Sequence, residues 1–159
     1  MQRTLTGIVF VAVIAAAILV HPCLFAAVFG LVSGLLILEF YQLTGYDGAP
    51  WLRYSGAFAG AYLFVATALH AAGCVGGIIY IPYIVMLAVM LVAGLFYAKS
   101  SNIVAQWGLL FFAQVYCAGG FSLLCFIPYL AGDYNPVPVL LIFVFIWLND
   151  TGAFLVGSR

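Results

Sequence analysis

Long apolar runs separated by short polar breaks are the feature that most constrains the fold of this chain. Six such runs follow one another, at residues 5–20, 23–43, 54–71, 78–98, 103–129 and about 138–156. Most match or exceed the roughly 20 residues that a helix needs to cross the hydrocarbon core of a bilayer, and the first is slightly shorter. Hydrophobic residues make up 68% of the chain and charged residues 5%, which excludes the soluble globular classes. The sequence therefore predicts an all-α, polytopic transmembrane bundle of about six spans.

The positions of the basic residues predict the orientation of this bundle. When the six runs are threaded through a membrane, all four Lys and Arg residues fall on the side of the N-terminus: Arg3, Arg53, Lys99 and Arg159. Because cytoplasmic loops carry an excess of Lys and Arg, we expect a cytoplasmic N-terminus and a multi-pass protein of the inner (cytoplasmic) membrane. The formal net charge is zero and no basic run occurs, so nucleic acid is excluded as a partner.

Small and polar residues within the runs predict close helix contacts. Two GxxxG pairs occur, Gly30 with Gly34 and Gly56 with Gly60. This spacing lets two helices approach closely, and it allows either a homodimer interface or packing within one chain. Gln106 and Gln114 are eight residues apart, hence on roughly one helix face, and are expected to form hydrogen bonds between helices.

The cysteine pattern does not indicate a metal site or a disulfide framework. No CxxC pair occurs, and each cysteine lies in or beside an apolar run: Cys23, Cys74, Cys117 and Cys125. We interpret them as small packing residues.

An Asn-Asp-Thr triplet, Asn149 to Thr151, interrupts the last apolar run. A carboxylate near the middle of a membrane helix costs about 2.5–3.5 kcal/mol on insertion scales, so Asp150 is expected to face a polar cavity, a cation or a partner. Three consecutive side chains cover most of a helix circumference, so we expect neighbouring helices or a water-filled cleft to enclose this turn. At 1.5 Å per residue, Asp150 lies about 18 Å from the start of the helix, in the cytoplasmic half of the bilayer.

Two interpretations of Asp150 follow from its residue type. As a site residue, it would coordinate a divalent cation or orient a phosphate-bearing substrate through one, because hard cations take carboxylate oxygens. As a structural residue, it would be a polar latch between helices. Glu39, near the inner end of the second run, lies in the same half of the membrane. It is either an ordinary interfacial residue or a lining residue of a cavity shared with Asp150.

Three short segments carry a resemblance to a known family. They are Arg3-Thr4-Leu5-Thr6-Gly7, Glu39-Phe40-Tyr41-Gln42-Leu43 and Asp150-Thr151-Gly152-Ala153-Phe154-Leu155-Val156-Gly157. In this order they resemble the Arg-x-x-x-Gly start, the Glu-Phe-Tyr-x-Leu segment and the Asp-x-x-Ala-Tyr-x-x-Gly segment of CDP-diacylglycerol synthases, the phosphatidate cytidylyltransferases. Phe154 replaces the usual Tyr of the third segment, which removes a hydroxyl and keeps the ring.

The resemblance implies a reaction and a set of roles. The phosphate of phosphatidic acid attacks the α-phosphate of CTP, with Mg²⁺ assistance, and gives CDP-diacylglycerol and pyrophosphate. Asp150 would be the catalytic and metal-binding residue, Asn149 and Thr151 would give polar support, and Glu39 would line the cavity. Members of this family continue beyond the glycine that Gly157 matches. Residues 1–159 are therefore expected to form one transmembrane region, the N-terminal part of a longer enzyme, and to be inactive alone.

Two other functions fit the same residues. One is a small membrane transporter or channel component in which Asp150 and Glu39 line a polar path. The other is a helical bundle with a structural role and no site.

Overall fold

The computed structural model describes residues 2–97 and 102–157, and these residues form helices and turns without a strand. The first four helices are α1 (Gln2–Val20), α2 (Pro22–Leu43), α3 (Pro50–Ala71) and α4 (Ile81–Tyr97), with a 3₁₀ turn at Gly77–Tyr80 leading into α4. A continuous fifth segment, Ile103–Tyr129, consists of α5 (Ile103–Ala113), a π-helix (Gln114–Gly119), the single turn α6 (Gly120–Ser122) and a 3₁₀ helix (Leu123–Tyr129). The last helix is α7 (Val137–Gly157). The all-α prediction is confirmed.

Among the residues that the structure describes, four stretches are long and apolar enough to cross a membrane. They are Pro22–Leu43, Gly77–Phe96, Ile103–Tyr129 and Val137–Phe154. The apolar part of α1, Val9–Val20, is shorter than a full span. Each of the six predicted runs corresponds to a helical segment, whereas the count of six membrane crossings and the cytoplasmic N-terminus stay predictions.

Prolines and glycines set the helix ends. Pro22 and Pro50 occupy the first turns of α2 and α3, where the missing N–H leaves no hydrogen bond unmade. The ring of His21 caps α2, since its Nδ1 accepts a hydrogen bond of 3.1 Å from the backbone N–H of Cys23. After α3, Gly73 has a φ of +71°, a conformation that glycine adopts without strain. We call the end of the bundle with the α1–α2 and α3–α4 turns the His21 end, and the opposite end the Arg53 end.

The glycine pairs bring α2 and α3 into close contact within one chain. A methyl group added to Gly34 would lie 3.0 Å from the backbone oxygen of Ala57, and one added to Gly30 would lie 2.9 Å from the Val65 side chain. The Ser33 hydroxyl also donates a hydrogen bond of 3.1 Å to the backbone oxygen of Gly60. Both GxxxG pairs therefore serve packing between α2 and α3 of the same chain.

Two buried clusters fill the bundle. The cluster at the His21 end is built on aromatic rings, with Phe25 and Phe29 of α2 packed against Phe64 of α3. The cluster at the Arg53 end holds Tyr41, Leu52, Leu110 and other buried residues. The two clusters fix how α2, α3 and the fifth segment lie against one another, because each contains residues of all three.

The cysteines divide into two groups. Cys125 is buried and Cys117 half-buried, which agrees with the packing interpretation. Cys23 and Cys74 are exposed at the His21 end, so that interpretation is wrong for them. The apolar residues around them in the sequence belong to helix ends and a turn, where a side chain is not forced into the core.

Candidate functional site

The last helix packs on the bundle along its first half only. Val139 is fully buried in the cluster at the His21 end, and Phe143 and Trp147 pack against that cluster. Beyond Trp147 every described side chain of α7 is exposed, for example Leu148 at 62% and Phe154 at 74%. The second half of α7 therefore runs toward the Arg53 end with its described side chains exposed.

The three polar residues of α7 lie in this exposed half. Asn149, Asp150 and Thr151 are all exposed. The Thr151 hydroxyl donates a hydrogen bond of 2.8 Å to the backbone oxygen of Trp147, one turn earlier in the same helix. The described part of the chain offers no hydrogen-bond or ion-pair partner to the Asp150 carboxylate or the Asn149 amide. The carboxylate is thus uncommitted, and a polar latch between described helices is not formed.

The enclosure expected for this turn is not supplied by the described residues. Sequence periodicity shows that three consecutive side chains point in three directions, and the structure confirms that geometry by exposing all of them. α7 packs on α1 and on the 3₁₀ end of the fifth segment. The expected enclosure of the polar turn stays a prediction, because the side chains of residues 2–6 and 8 of α1 are not among those described.

Glu39 lies in the last turns of α2 and is also exposed. It belongs to the Arg53 end, the end toward which α7 runs from its buried start at Val139. From Val139 to Asp150 the helix rises about 16 Å, so both carboxylates lie in the same half of the bundle. A cavity shared by Glu39 and Asp150 stays a prediction.

A buried polar group in the core was only partly anticipated. Gln114, in the π-helix, is fully buried, and its amide nitrogen donates a hydrogen bond of 2.9 Å to the backbone oxygen of Gly56. The Tyr83 hydroxyl approaches the Gln114 side-chain oxygen at 3.5 Å. The Tyr41 hydroxyl is buried and has no hydrogen-bond partner among the described residues. The expected hydrogen bond of Gln114 between helices is confirmed, whereas the burial of Tyr41 required the three-dimensional packing.

The loop at the Arg53 end is held to the fifth segment. The side-chain oxygen of Gln106 accepts a hydrogen bond of 2.8 Å from the backbone N–H of Asp47, so Gln106 bonds to this loop and not, as predicted, to a second helix. Arg53 is half-buried near Tyr46, and burial raises the pKa of the Tyr46 hydroxyl while the Arg53 charge opposes that rise. Arg53 is the basic residue of this end whose side chain is described. The side chains of Arg3, Lys99 and Arg159 lie outside the described residues.

The described residues contain no group of three or more His, Cys, Asp and Glu side chains that could hold a metal ion. A site that takes one carboxylate and completes its coordination with water and substrate phosphates needs fewer protein ligands, and Asp150 has the free oxygens for it.

Comparison with known proteins supplies a family match. The model of the cytidylyltransferase family matches residues 1–159. No curated protein and no solved structure matches the chain.

Proposed function

The chain belongs to the cytidylyltransferase family of CTP-using nucleotidyltransferases, and from this membership we propose that it is the N-terminal membrane part of a CTP:phosphatidate cytidylyltransferase. The phosphate oxygen of phosphatidic acid attacks the α-phosphorus of CTP, and the bond from that phosphorus to the β-phosphate oxygen breaks. The products are CDP-diacylglycerol and pyrophosphate. The enzyme acts in the cytoplasmic membrane, with its N-terminus in the cytoplasm.

The observation that carries this proposal is the uncommitted carboxylate of Asp150 within an apolar membrane helix. Its placement toward the Arg53 end suits a reaction between a water-soluble nucleotide and a lipid. If that end faces the cytoplasm, CTP reaches the carboxylate from water while phosphatidic acid reaches it from the bilayer. Asp150 is the proposed catalytic residue, with the Asn149 amide available for hydrogen bonds to the substrates.

The donor set fits Mg²⁺ in the manner usual for nucleotide enzymes. Magnesium is commonly bound through one or two carboxylates together with substrate phosphates and water, and Asp150 supplies one free carboxylate. When bound, the ion neutralises charge that develops on the phosphate oxygens during transfer. What the chain itself contributes is the position of that carboxylate: α7 is anchored through Val139, Phe143 and Trp147, and this anchoring fixes the direction in which the polar turn extends.

The proposal includes other protein segments that cover the exposed second half of α7 and shield its polar turn from the acyl tails. A helix that presents Asn149, Asp150 and Thr151 in three directions cannot face acyl tails with all of them, since each unmatched polar group in hydrocarbon is costly. We place this cover in further transmembrane segments of the full-length enzyme. Residues 1–159 alone are then inactive, and Glu39 lines the cavity that the added segments close.

The test is Asp150→Asn in the full-length protein, with CDP-diacylglycerol formation from CTP and phosphatidic acid measured in detergent micelles. The amide keeps the size of the side chain and removes its charge, so we expect activity to fall at least ~100-fold, about the effect of losing one strong electrostatic contact in the transition state. Asp133→Asn is the matched control, because Asp133 is an exposed aspartate in the loop at the His21 end. It should retain full activity.

Membrane insertion is measured for both variants, so that a loss of activity is distinguished from a failure of the protein to insert. Near-normal turnover of the Asp150→Asn variant would remove this residue from the mechanism. If the unsubstituted full-length protein forms no CDP-diacylglycerol but transfers CMP from CTP to another phosphorylated lipid, the acceptor in the proposal is wrong.

A further inference from the structure

Two exposed cysteines share one small cleft at the His21 end. Cys23 lies in the first turn of α2, and Cys74 lies in the turn that follows α3. Both line a cleft of about 90 Å³ whose other walls include Pro22, Ala72 and Tyr129. These two thiols thus line one apolar cleft although their positions are 51 apart in the sequence.

Both cysteines sit on backbone that hydrogen bonds hold beside the cleft. Gly73, with a φ of +71°, begins the turn that carries Cys74. The backbone N–H of Cys74 donates a hydrogen bond of 3.0 Å to the oxygen of Leu69 and so ties this turn to α3. Cys23 is fixed by the His21 cap and by the packing of α2 on α3. Rotation of the two exposed side chains about their Cα–Cβ bonds would close the cleft without disturbing either helix.

The chemical surroundings favour reaction of this pair over the other cysteines. Cys125 is buried, and its thiol donates to the backbone oxygen of Phe64 at 3.6 Å, while Cys117 is half-buried in the cluster at the Arg53 end. The His21 end is also the end opposite Arg53, and the sequence predicts the other basic residues on the same side of the membrane as Arg53. The positive-inside tendency places that end outside the cytoplasm, where disulfides form and persist.

We propose that Cys23 and Cys74 form an intramolecular disulfide that ties the start of α2 to the turn after α3. The oxidant is a disulfide-bearing molecule of the non-cytoplasmic space. One thiolate attacks a sulfur of that disulfide, forms a mixed disulfide and releases the first donor thiol. The second cysteine thiolate then attacks the mixed disulfide and releases the second donor thiol. The two cysteine thiols together lose two electrons, the donor disulfide is reduced to two thiols, and both protons end on those thiols.

The pairing is tested by counting thiols in the full-length protein, purified in detergent. One sample is reduced and one is treated with oxidised glutathione, and both are then denatured and labelled with a maleimide polymer that shifts the gel band once per free thiol. We expect the oxidised sample to carry two fewer labels than the reduced sample and to run as a monomer. Dithiothreitol should restore both labels. An unchanged label count after oxidation would overturn the proposal.

Serine variants identify the residues. Cys23→Ser and Cys74→Ser should each abolish the paired loss of two labels, whereas the control Cys117→Ser should still lose two. Peptide mass spectrometry of the oxidised protein should find the peptides of Cys23 and Cys74 linked. A loss of two labels that persists in Cys23→Ser would assign the bond to other cysteines. In cells whose thiols are blocked with N-ethylmaleimide before lysis, the pair should already be oxidised, and a fully reduced pair would contradict the assigned compartment.

Discussion

The side-chain amide of Gln114 donates a hydrogen bond of 2.9 Å to the backbone oxygen of Gly56, and this contact joins the fifth segment to α3. Gln114 is fully buried and begins the π-helix, a local widening of the helix that often occurs at functional sites. The missing side chain of Gly56 makes room for Tyr41, since a methyl group there would lie 2.6 Å from the Tyr41 hydroxyl. The π-helix is therefore located where a polar contact crosses the core beside the Arg53 end.

Gln114→Leu is expected to destabilise the bundle. The substitution removes the hydrogen bond to Gly56 and the acceptor that the Tyr83 hydroxyl approaches, so the loss should be about 1–3 kcal/mol. Gln106→Leu is the matched control, because Gln106 is only partly buried and its donor, the N–H of Asp47, is exposed to solvent. Denaturant unfolding in detergent measures both variants. Equal losses of unfolding free energy in the two variants would show that burial does not make the Gln114 hydrogen bond more stabilising.

Gly34→Ala is expected to separate α2 from α3. The new methyl group would lie 3.0 Å from the backbone oxygen of Ala57, which cannot move without its helix, and overpacking of this kind costs roughly 1–3 kcal/mol. Gly108→Ala is the control: no atom lies within 4 Å of a methyl group there, and alanine favours an α-helix by up to about 1 kcal/mol over glycine. The first change should lower the thermal unfolding midpoint and the second should not. A Gly34→Ala protein as stable as the parent would contradict the close contact.

The helices were predictable from sequence because apolar runs and proline breaks act locally. The second run was predicted to end at Leu43, where α2 ends, and the start of α3 was predicted four residues late because Pro50 begins the helix rather than preceding it. The π and 3₁₀ parts of the fifth segment were not predicted, since they depend on contacts such as that of Gln114. The same holds for the site: the position of Asp150 along α7 follows from spacing, whereas its enclosure depends on tertiary neighbours that no local pattern encodes.

Removal of the hydroxyl group should have different effects on stability at Tyr134 and at Tyr41. The Tyr134 hydroxyl donates a hydrogen bond of 2.7 Å to the backbone oxygen of Ile18 and so ties the loop before α7 to α1. Tyr134→Phe should cost about 0.5–1.5 kcal/mol. The buried Tyr41 hydroxyl has no partner among the described residues, so Tyr41→Phe should leave stability unchanged or raise it. Unfolding in denaturant measures both, and a clear loss of stability in Tyr41→Phe would show that the hydroxyl bonds to a neighbour such as the Gln114 side chain.

Alkaline pH should weaken the fold through Tyr134. Burial, with a smaller effect of Tyr129, raises the pKa of Tyr134 from 10.0 to about 12. The folded state then holds this proton more tightly than the unfolded state, so the stabilising contribution is complete below pH 10 and is lost as the pH rises toward 12. Thermal unfolding midpoints at about pH 9 and about pH 11 measure the effect. Tyr134→Phe should reduce the difference between them, and the exposed Tyr54→Phe should not.

The two neighbours of Asp150 should contribute unequally to catalysis. The Thr151 hydroxyl is already bonded to the backbone of Trp147, whereas the Asn149 amide has no partner among the described residues and is free to bind a phosphate oxygen. Loss of a hydrogen bond to a charged group costs about 1.5–3 kcal/mol, so Asn149→Ala should lower kcat/KM roughly 10- to 100-fold. Thr151→Ala should change it less than about threefold. Assays of CDP-diacylglycerol formation by the full-length enzyme compare the two, with membrane insertion checked for each. The reverse order of effects would show that the Thr151 hydroxyl leaves its helix to bind substrate, and the assigned roles of the two residues would have to be exchanged.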